Sequence, residues 1–132
     1  MKDKIVSADE AVAIIRDCDT LCTSGFVGVG TPDELLLALE KRYRETRHPS
    51  DLTLLFAAAP GDSKDRGLNR LAHEGLVKRV VGGHWALVPR LGELALANRI
   101  EAYNLPLGCI SHLYRSIAAG PSGAGGTVNL TN

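Results

Sequence analysis

The chain has 132 residues, with 15 basic and 15 acidic side chains balancing to a formal net charge of zero. Its 45% apolar share fits a folded domain of ordinary size rather than a disordered chain. The charge balance gives no footprint for nucleic acid or an anionic membrane. No apolar run is long enough to span a bilayer, and no signal-type segment follows Met1, so the default expectation is a cytoplasmic protein.

Ser7 and Glu10 have the spacing of a capping box and predict a first helix from Ala8 to about Arg16, with Ala11, Ile14 and Ile15 on one face. Asp17-Cys18-Asp19 reads as a turn. Thr20 to Ser24 reads as the first strand, with Leu21-Cys22-Thr23 the end of a buried one. The odd number of cysteines (Cys18, Cys22, Cys109) argues against a disulfide framework. Cys18 and Cys22 straddle a turn and a strand with no His nearby, so no metal set is predicted.

The stretch from Ser24 to Pro32 holds Gly25, Gly28 and Gly30. Thr31 reads as the N-cap of the second helix, Pro32 as its first residue and Glu34 as the partner in a capping box. The glycines therefore lie in a strand-to-helix turn, where backbone N–H groups and a helix N-terminus converge outside the strand end. The turn can bind an anion or a carbonyl oxygen, or it can simply turn. It lacks the third glycine of a dinucleotide fingerprint and the Gly-Lys-Ser/Thr of a phosphate-binding loop.

The second helix is predicted from Pro32 to about Arg44, with Leu35, Leu36, Leu39 and Tyr43 on one stripe. Leu52 to Ala58 is a continuous apolar run, the pattern of a strand buried on both faces. Pro60 to Asp65 is a loop. The charges Asp62, Lys64, Asp65 and Arg66 follow a strand end and either line a crevice or are merely solvated. Asn69 to Glu74 reads as a short helix and Val77 to Val81 as a third strand closed by Gly82-Gly83. Pro89 opens a helix through Asn98, Ile100 to Tyr103 is a fourth strand ended by Asn104-Leu105-Pro106, and Ile110 to Ala118 is the last helix. The alternation implies an α/β fold: an open, mainly parallel sheet with helices on both faces.

His84 in Gly82-Gly83-His84-Trp85 could serve as a general base, or could bond the backbone while Trp85 packs. His73, Glu74 and His112 read as surface or capping groups. Of Glu74, Glu93 and Glu101, none lies in a glycine-rich turn that would present it as a nucleophile beside an oxyanion hole.

Gly25-Phe26 followed after three residues by Gly30-x-Pro32 resembles the first signature of the family I coenzyme A transferases. Asp65-Arg66-Gly67-Leu68-Asn69, Ala72 to Arg79, Gly82 to Trp85, Glu101 to Pro106 and Ile110 to Arg115 resemble the acetate/propionate branch in the same order. The resemblance covers about residues 3 to 120 and implies the open sheet of the coenzyme A transferase superfamily. It also implies transfer of coenzyme A between an acyl-CoA and a short-chain carboxylate, through attack of a glutamate on the thioester. The substrate-binding loop it implies is Gly25, Phe26, Val27, Gly28, Val29 and Gly30, shaping the acyl pocket. No cofactor is expected to be tightly bound, and coenzyme A or acyl-CoA is the expected ligand.

Cys18 stands where the family usually has Gly, and Cys22 where a small residue is common. The resemblance fades at Pro121, dividing the chain into a partial N-terminal domain (1–120) and a divergent Gly-rich tail (121–132), where Thr127 to Leu130 reads as a short strand or a frayed end. The family's nucleophilic glutamate lies in its C-terminal half, in a Glu-x-Gly setting that no position here matches, so no catalytic residue is assigned. Three functions follow: a truncated section or subunit, inactive alone, that works with a chain carrying the catalytic half; a non-catalytic small-ligand binder or homo-oligomeric scaffold; and a thioesterase using His84 and a water.

Overall fold

The computed structural model describes residues 4–120; the tail and its short-strand expectation lie outside the described residues. The strands β1 (Thr20–Cys22), β2 (Leu52–Phe56), β3 (Val77–Gly82) and β4 (Glu101–Asn104) form one parallel sheet in chain order. The helices are α1 (Ala8–Val12), α2 (Asp33–Thr46), α3 (Pro89–Leu96) and α4 (Leu107–Ala119), with a 3-10 turn at Leu68–Leu71 between β2 and β3. Among the described residues no helix is long and apolar enough to cross a membrane.

Neighbouring strands joined by right-handed crossovers place every connecting helix on one face. That face holds α2, the 3-10 turn and α3. Leu36, Leu39 and Tyr43 of α2 meet Leu52, Leu54 and Phe56 of β2, Val77 and Val80 of β3, and Leu91 of α3 in one buried core. The register pairs Leu54 with Leu21 and Val80, and Leu55 with Cys22 and Val81; by strand alternation the second set points to the opposite face. There α4 packs: Ile110 is fully buried, and its Cδ1 lies 3.3 Å from where a Cβ on Gly83 would stand. Tyr114 lies against the Cys22 thiol and the Ala57 backbone, and burial pushes its hydroxyl up to about 12. Helices thus cover both faces, as expected.

The local expectations divide instructively. The Ser7–Glu10 capping box is present, with Glu10 N–H donating to Ser7 Oγ at 3.2 Å and Ser7 N–H to the Glu10 carboxylate at 2.8 Å. The helix it opens is only five residues long and stops at Val12. Arg42 holds that end by donating to the carbonyls of Val12 and Ile15 at 2.7 and 2.8 Å, satisfying oxygens a longer helix would have used. Ser7→Ala is expected to cost about 1 kcal/mol of stability, read as a lower urea midpoint with an unchanged slope.

β1 is not buried: Thr20 and Cys22 are exposed, because this strand pairs only with β2 and forms the edge of the described sheet. The predicted helix from Asn69 to Glu74 is the shorter 3-10 turn at Leu68–Leu71. Asn69, 1% exposed, explains the arrest. Its side-chain NH2 donates to Arg66 and Leu87 carbonyls (3.1 and 3.0 Å), and its oxygen accepts from Arg90 N–H at 3.2 Å, tying the turn to the start of α3.

Candidate functional site: the glycine loop at the strand ends

All four strands run parallel, so their C-terminal ends open onto one edge of the sheet. Four segments meet there: the glycine loop after β1, Ala57 to Gly61 after β2, Gly83 to Trp85 after β3, and Leu105-Pro106 after β4. Val27 N–H donates to Ala59 O at 3.3 Å, Gly83 N–H to Phe56 O at 3.2 Å and Leu105 N–H to Gly82 O at 3.0 Å. Each loop is therefore pinned to its neighbour. The Asn104 amide, oriented so that its NH2 donates, reaches the Gly82 and Gly83 carbonyls at 3.1 Å each.

The glycine loop is a closed turn. Phe26 and Val29 exchange two backbone hydrogen bonds of 3.0 Å, leaving Val27 and Gly28 at its tip. Ser24 Oγ donates to Gly30 O at 3.0 Å and Thr31 Oγ1 to Val27 O at 2.9 Å. Thr31 is thus no N-cap: its hydroxyl closes the glycine loop instead, and α2 begins after Pro32 with no side-chain cap. Gly25 has φ 114°, and a Cβ there would lie 2.8 Å from Thr31 Cα. Val27 holds φ 56°, a left-handed value that a β-branched residue adopts only under local constraint. Such strain concentrates at ligand clamps. Among the described residues the Gly28 and Gly30 amides donate to no acceptor, and Phe26 (56%) and Val29 (81%) stand exposed around them.

Two buried polar atoms lack a partner among the described residues, Thr23 Oγ1 and Trp85 Nε1. Both follow strand ends, flanking the same edge. Trp85 packs edge-on against Phe56, with ring centroids 5.8 Å apart. His84, the residue considered for base chemistry at this turn, is exposed and makes no hydrogen bond among the described residues.

The N-terminus of α2 is already occupied by negative charge. Asp33 accepts from Gly67 N–H at 2.8 Å and from Arg70 Nε and Nη2 at 3.0 and 2.9 Å. Arg70, and then the Gly67 amide, hold the Asp33 carboxyl below its ordinary 3.8. With this carboxylate and Glu34 in the first turn, the helix end repels a further anion. The free loop amides suit a neutral, polarisable oxygen better. A lowered carboxyl contributes stability that is complete above the unfolded value and is lost as pH falls through the folded one. Acid unfolding below pH 3.8 is therefore expected to be less steep in Asp33→Asn than in the parent, compared by denaturant midpoints across that range.

The charged loop after β2 is built into the frame. Asp62 Oδ1 accepts from the amides of Lys64, Asp65 and Arg66 at 2.9 Å each, and Asp65 pairs with Arg90 of α3. His73 is no isolated surface group: its Nε2 meets Glu40 of α2 at 2.9 Å. Glu74 and Glu101 lie at the opposite, N-terminal edge of the sheet, paired with Arg99 at 3.1 Å and Arg79 at 2.6 Å. A four-residue strand separates them from the loop by roughly 13 Å, beyond the reach of a side chain. Glu93 is exposed on α3, and His112 is exposed on α4. Asn69 and Thr23 carry weight here that local pattern did not reveal, since their roles depend on partners, or the lack of them, across the fold.

The family model for coenzyme A transferase matches residues 5–132. The chain is 42% identical over 116 residues to acetate CoA-transferase YdiF of Escherichia coli strain K12. It is 36% identical over 116 residues to the caffeate CoA-transferase of Acetobacterium woodii. It spans 22% of the length of each of these relatives. It is 31% identical over 132 residues to the acetate CoA-transferase subunit alpha of E. coli K12, covering 55% of that subunit. The crystal structure of the YdiF acyl-CoA transferase of E. coli O157:H7 in a thioester complex with CoA superposes with a TM-score of 0.82 at 42% identity, over 86% of this chain and 24% of that one.

Proposed function

The chain belongs to the coenzyme A transferase family, and from that premise we propose that it acts as the N-terminal section of such an enzyme, presenting the acyl end of an acyl-CoA to a glutamate carried on another section. The observation that carries this reading is the pair of uncommitted amides in a constrained loop, Gly28 at its tip and Gly30 just after its closing pair, beside exposed Phe26 and Val29. The amides receive the thioester carbonyl oxygen, and Phe26, Val27 and Val29 flank the short acyl chain. Gly25 is the hinge that brings Thr31 against the loop.

In the reaction the glutamate carboxylate adds to the thioester carbon, and negative charge grows on the carbonyl oxygen. Preorganised N–H donors stabilise that charge most where water is excluded. Collapse expels the CoA thiolate and leaves an acyl-glutamyl anhydride. The thiolate then attacks the glutamyl carbonyl, releasing the acyl carboxylate and forming a glutamyl-CoA thioester. A second carboxylate attacks that thioester by the same steps in reverse, leaving as the new acyl-CoA. The chain's own part is to bind, orient and donate; the bond-forming nucleophile comes from its partner. Without that nucleophile the covalent route is missing altogether, so the chain alone is expected to turn over no substrate.

The reading is tested by co-expressing the chain with the remainder of YdiF outside the matched section and assaying propionyl-CoA formation from acetyl-CoA and propionate. Transfer that requires both polypeptides supports it. A complex that forms but transfers nothing, with acyl-CoA failing to bind, contradicts it.

A further inference from the structure

We propose that Arg70 is a positioning residue for the glycine loop: by clamping Asp33 it fixes the stem on which the loop ends, and so sets the loop's preference for an acylated coenzyme A over the free one. This rests on the reading above that the loop receives the acyl thioester.

Two sets of bonds tie the loop to the segment after β2. At the tip, Val27 N–H donates to Ala59 O at 3.3 Å. At the end, Thr31 passes through Pro32 into Asp33, whose N–H turns back to Thr31 O at 2.9 Å. α2 has no side-chain cap, so its first turn is not held by a hydroxyl or amide of its own. The Asp33 carboxylate holds it instead. Arg70 grips both oxygens, with Nε on Oδ1 at 3.0 Å and Nη2 on Oδ2 at 2.9 Å, and Gly67 N–H adds a bond to Oδ1 at 2.8 Å. A two-pronged guanidinium–carboxylate pair fixes orientation as well as distance, which a point charge does not.

Both sets of bonds end on one block. Leu68 N–H donates to Pro60 O at 2.8 Å, and Gly61 and Gly67 form an antiparallel bridge. Ala59, Leu68 and Leu71 are buried in the core. Arg70 projects from this block with its side chain only 18% exposed, and its second acidic neighbour, Glu40, lies 3.9 Å away. The block is a template for the loop, and Arg70 is the strut between template and stem.

The shape of the loop needs such a strut. Gly25, Val27 and Gly30 hold φ of 114°, 56° and 68°. Strained backbone persists only where its surroundings over-determine it. That backbone carries the free Gly28 and Gly30 amides. Once the stem is released, a displacement of about 1 Å can cost an oriented interaction up to roughly a hundredfold. Free coenzyme A lacks the acyl oxygen and does not register the change. Loss of the strut therefore lowers selectivity for the acyl group, which a loss of stability alone does not do.

The test is isothermal titration of the full chain with acetyl-CoA and with free coenzyme A, in the parent, Arg70→Met, Arg70→Lys and Arg44→Met, with folding checked by circular dichroism and urea midpoints. Arg44→Met is the control, because Arg44 bonds Glu40 of the same network at 2.7 Å and makes no bond to Asp33 among the described residues. Arg70→Met is expected to reduce the ratio of the two affinities about tenfold. Arg70→Lys, which keeps the charge, is expected to recover part of it. Arg44→Met is expected to keep the parent ratio even where its midpoint falls. A parent ratio in Arg70→Met, with only the midpoint lowered, overturns the proposal and leaves the loop as the acyl site. An equal loss of ratio in Arg44→Met also overturns it, since the network's stability and not the clamp would then set the loop. Where Arg70→Met does not fold, Asp33→Asn decides: it removes the charge that Arg70 grips and keeps an acceptor for Gly67, and an unchanged ratio overturns the proposal by itself. Equal affinity of the parent for both ligands removes the acyl reading, and the proposal with it.

Discussion

Gly25→Ala is expected to weaken acyl-CoA binding at least about tenfold. A methyl group at this position would stand 2.8 Å from Thr31 Cα, and the backbone holds φ 114°, where residues with a side chain are rarely found. Leaving that region is worth of order 1–3 kcal/mol by itself, and the overlap with backbone adds to it. The relief is a rotation of the loop that separates Thr31 Oγ1 from Val27 O and Ser24 Oγ from Gly30 O, which now lie 2.9 and 3.0 Å apart. The loop that carries the free Gly28 and Gly30 amides then changes shape. Each 1.4 kcal/mol lost from binding is about a tenfold weaker constant, so titration with acetyl-CoA is expected to show at least a tenfold loss. Gly28→Ala is the companion. A Cβ there meets nothing within 4 Å, so the fold is unaffected, and any change in binding reports the added methyl beside the ligand. Equal binding by the parent and Gly25→Ala would remove the loop from the site.

Glu40→Ala is expected to cause the largest loss of stability among charged positions. Glu40 is 7% exposed on α2, and its carboxylate meets Arg44 at 2.7 Å, His73 at 2.9 Å and Arg70 at 3.9 Å. Arg70 in turn holds Asp33, so one network joins the first and second turns of α2 to the segment after β2. Removing one member of a buried ionic set costs about 3–5 kcal/mol, mostly through the charges left behind. The solvent-facing side of Arg44 places this case near the lower end of that range. Urea denaturation of Glu40→Ala checks it, and Glu40→Gln, which keeps an acceptor for His73, is expected to lose less. A midpoint for Glu40→Ala indistinguishable from the parent would show that the network contributes nothing net.

What could be read from local pattern, and what could not, follows from where each residue finds its partner. The Leu52 to Ala58 run identified a doubly covered strand because burial on both faces leaves no polar alternation to obscure it. The stripe of Leu35, Leu36, Leu39 and Tyr43 located α2; the last three are in the core, while Leu35, at the edge of the stripe, is 41% exposed. The same reasoning overstated β1, because an apolar run does not reveal whether a strand has one neighbour or two. Thr31 has the spacing of a cap, yet its hydroxyl bonds backwards to Val27 across four residues, a choice imposed by the glycine turn. The missing cap is offset elsewhere, by Arg70 and Gly67 on Asp33, contacts 37 and 34 residues apart in sequence. Asn69 escaped notice for the same reason: its three bonds join two loops and a helix start that only the folded chain assembles. The position of the glycine loop at a strand end was legible; the uncommitted state of its amides was not, because it depends on where the other donors of the loop find acceptors.

The account turns on whether the glycine loop receives a thioester oxygen. Isothermal titration of the full chain with acetyl-CoA and with free coenzyme A tests this most directly, since the two differ only in the acyl group the loop is proposed to hold. Acetyl-CoA binding tighter than coenzyme A, with the difference erased by Gly25→Ala, is the predicted result. Equal affinity for both ligands, or no binding of either, would contradict it.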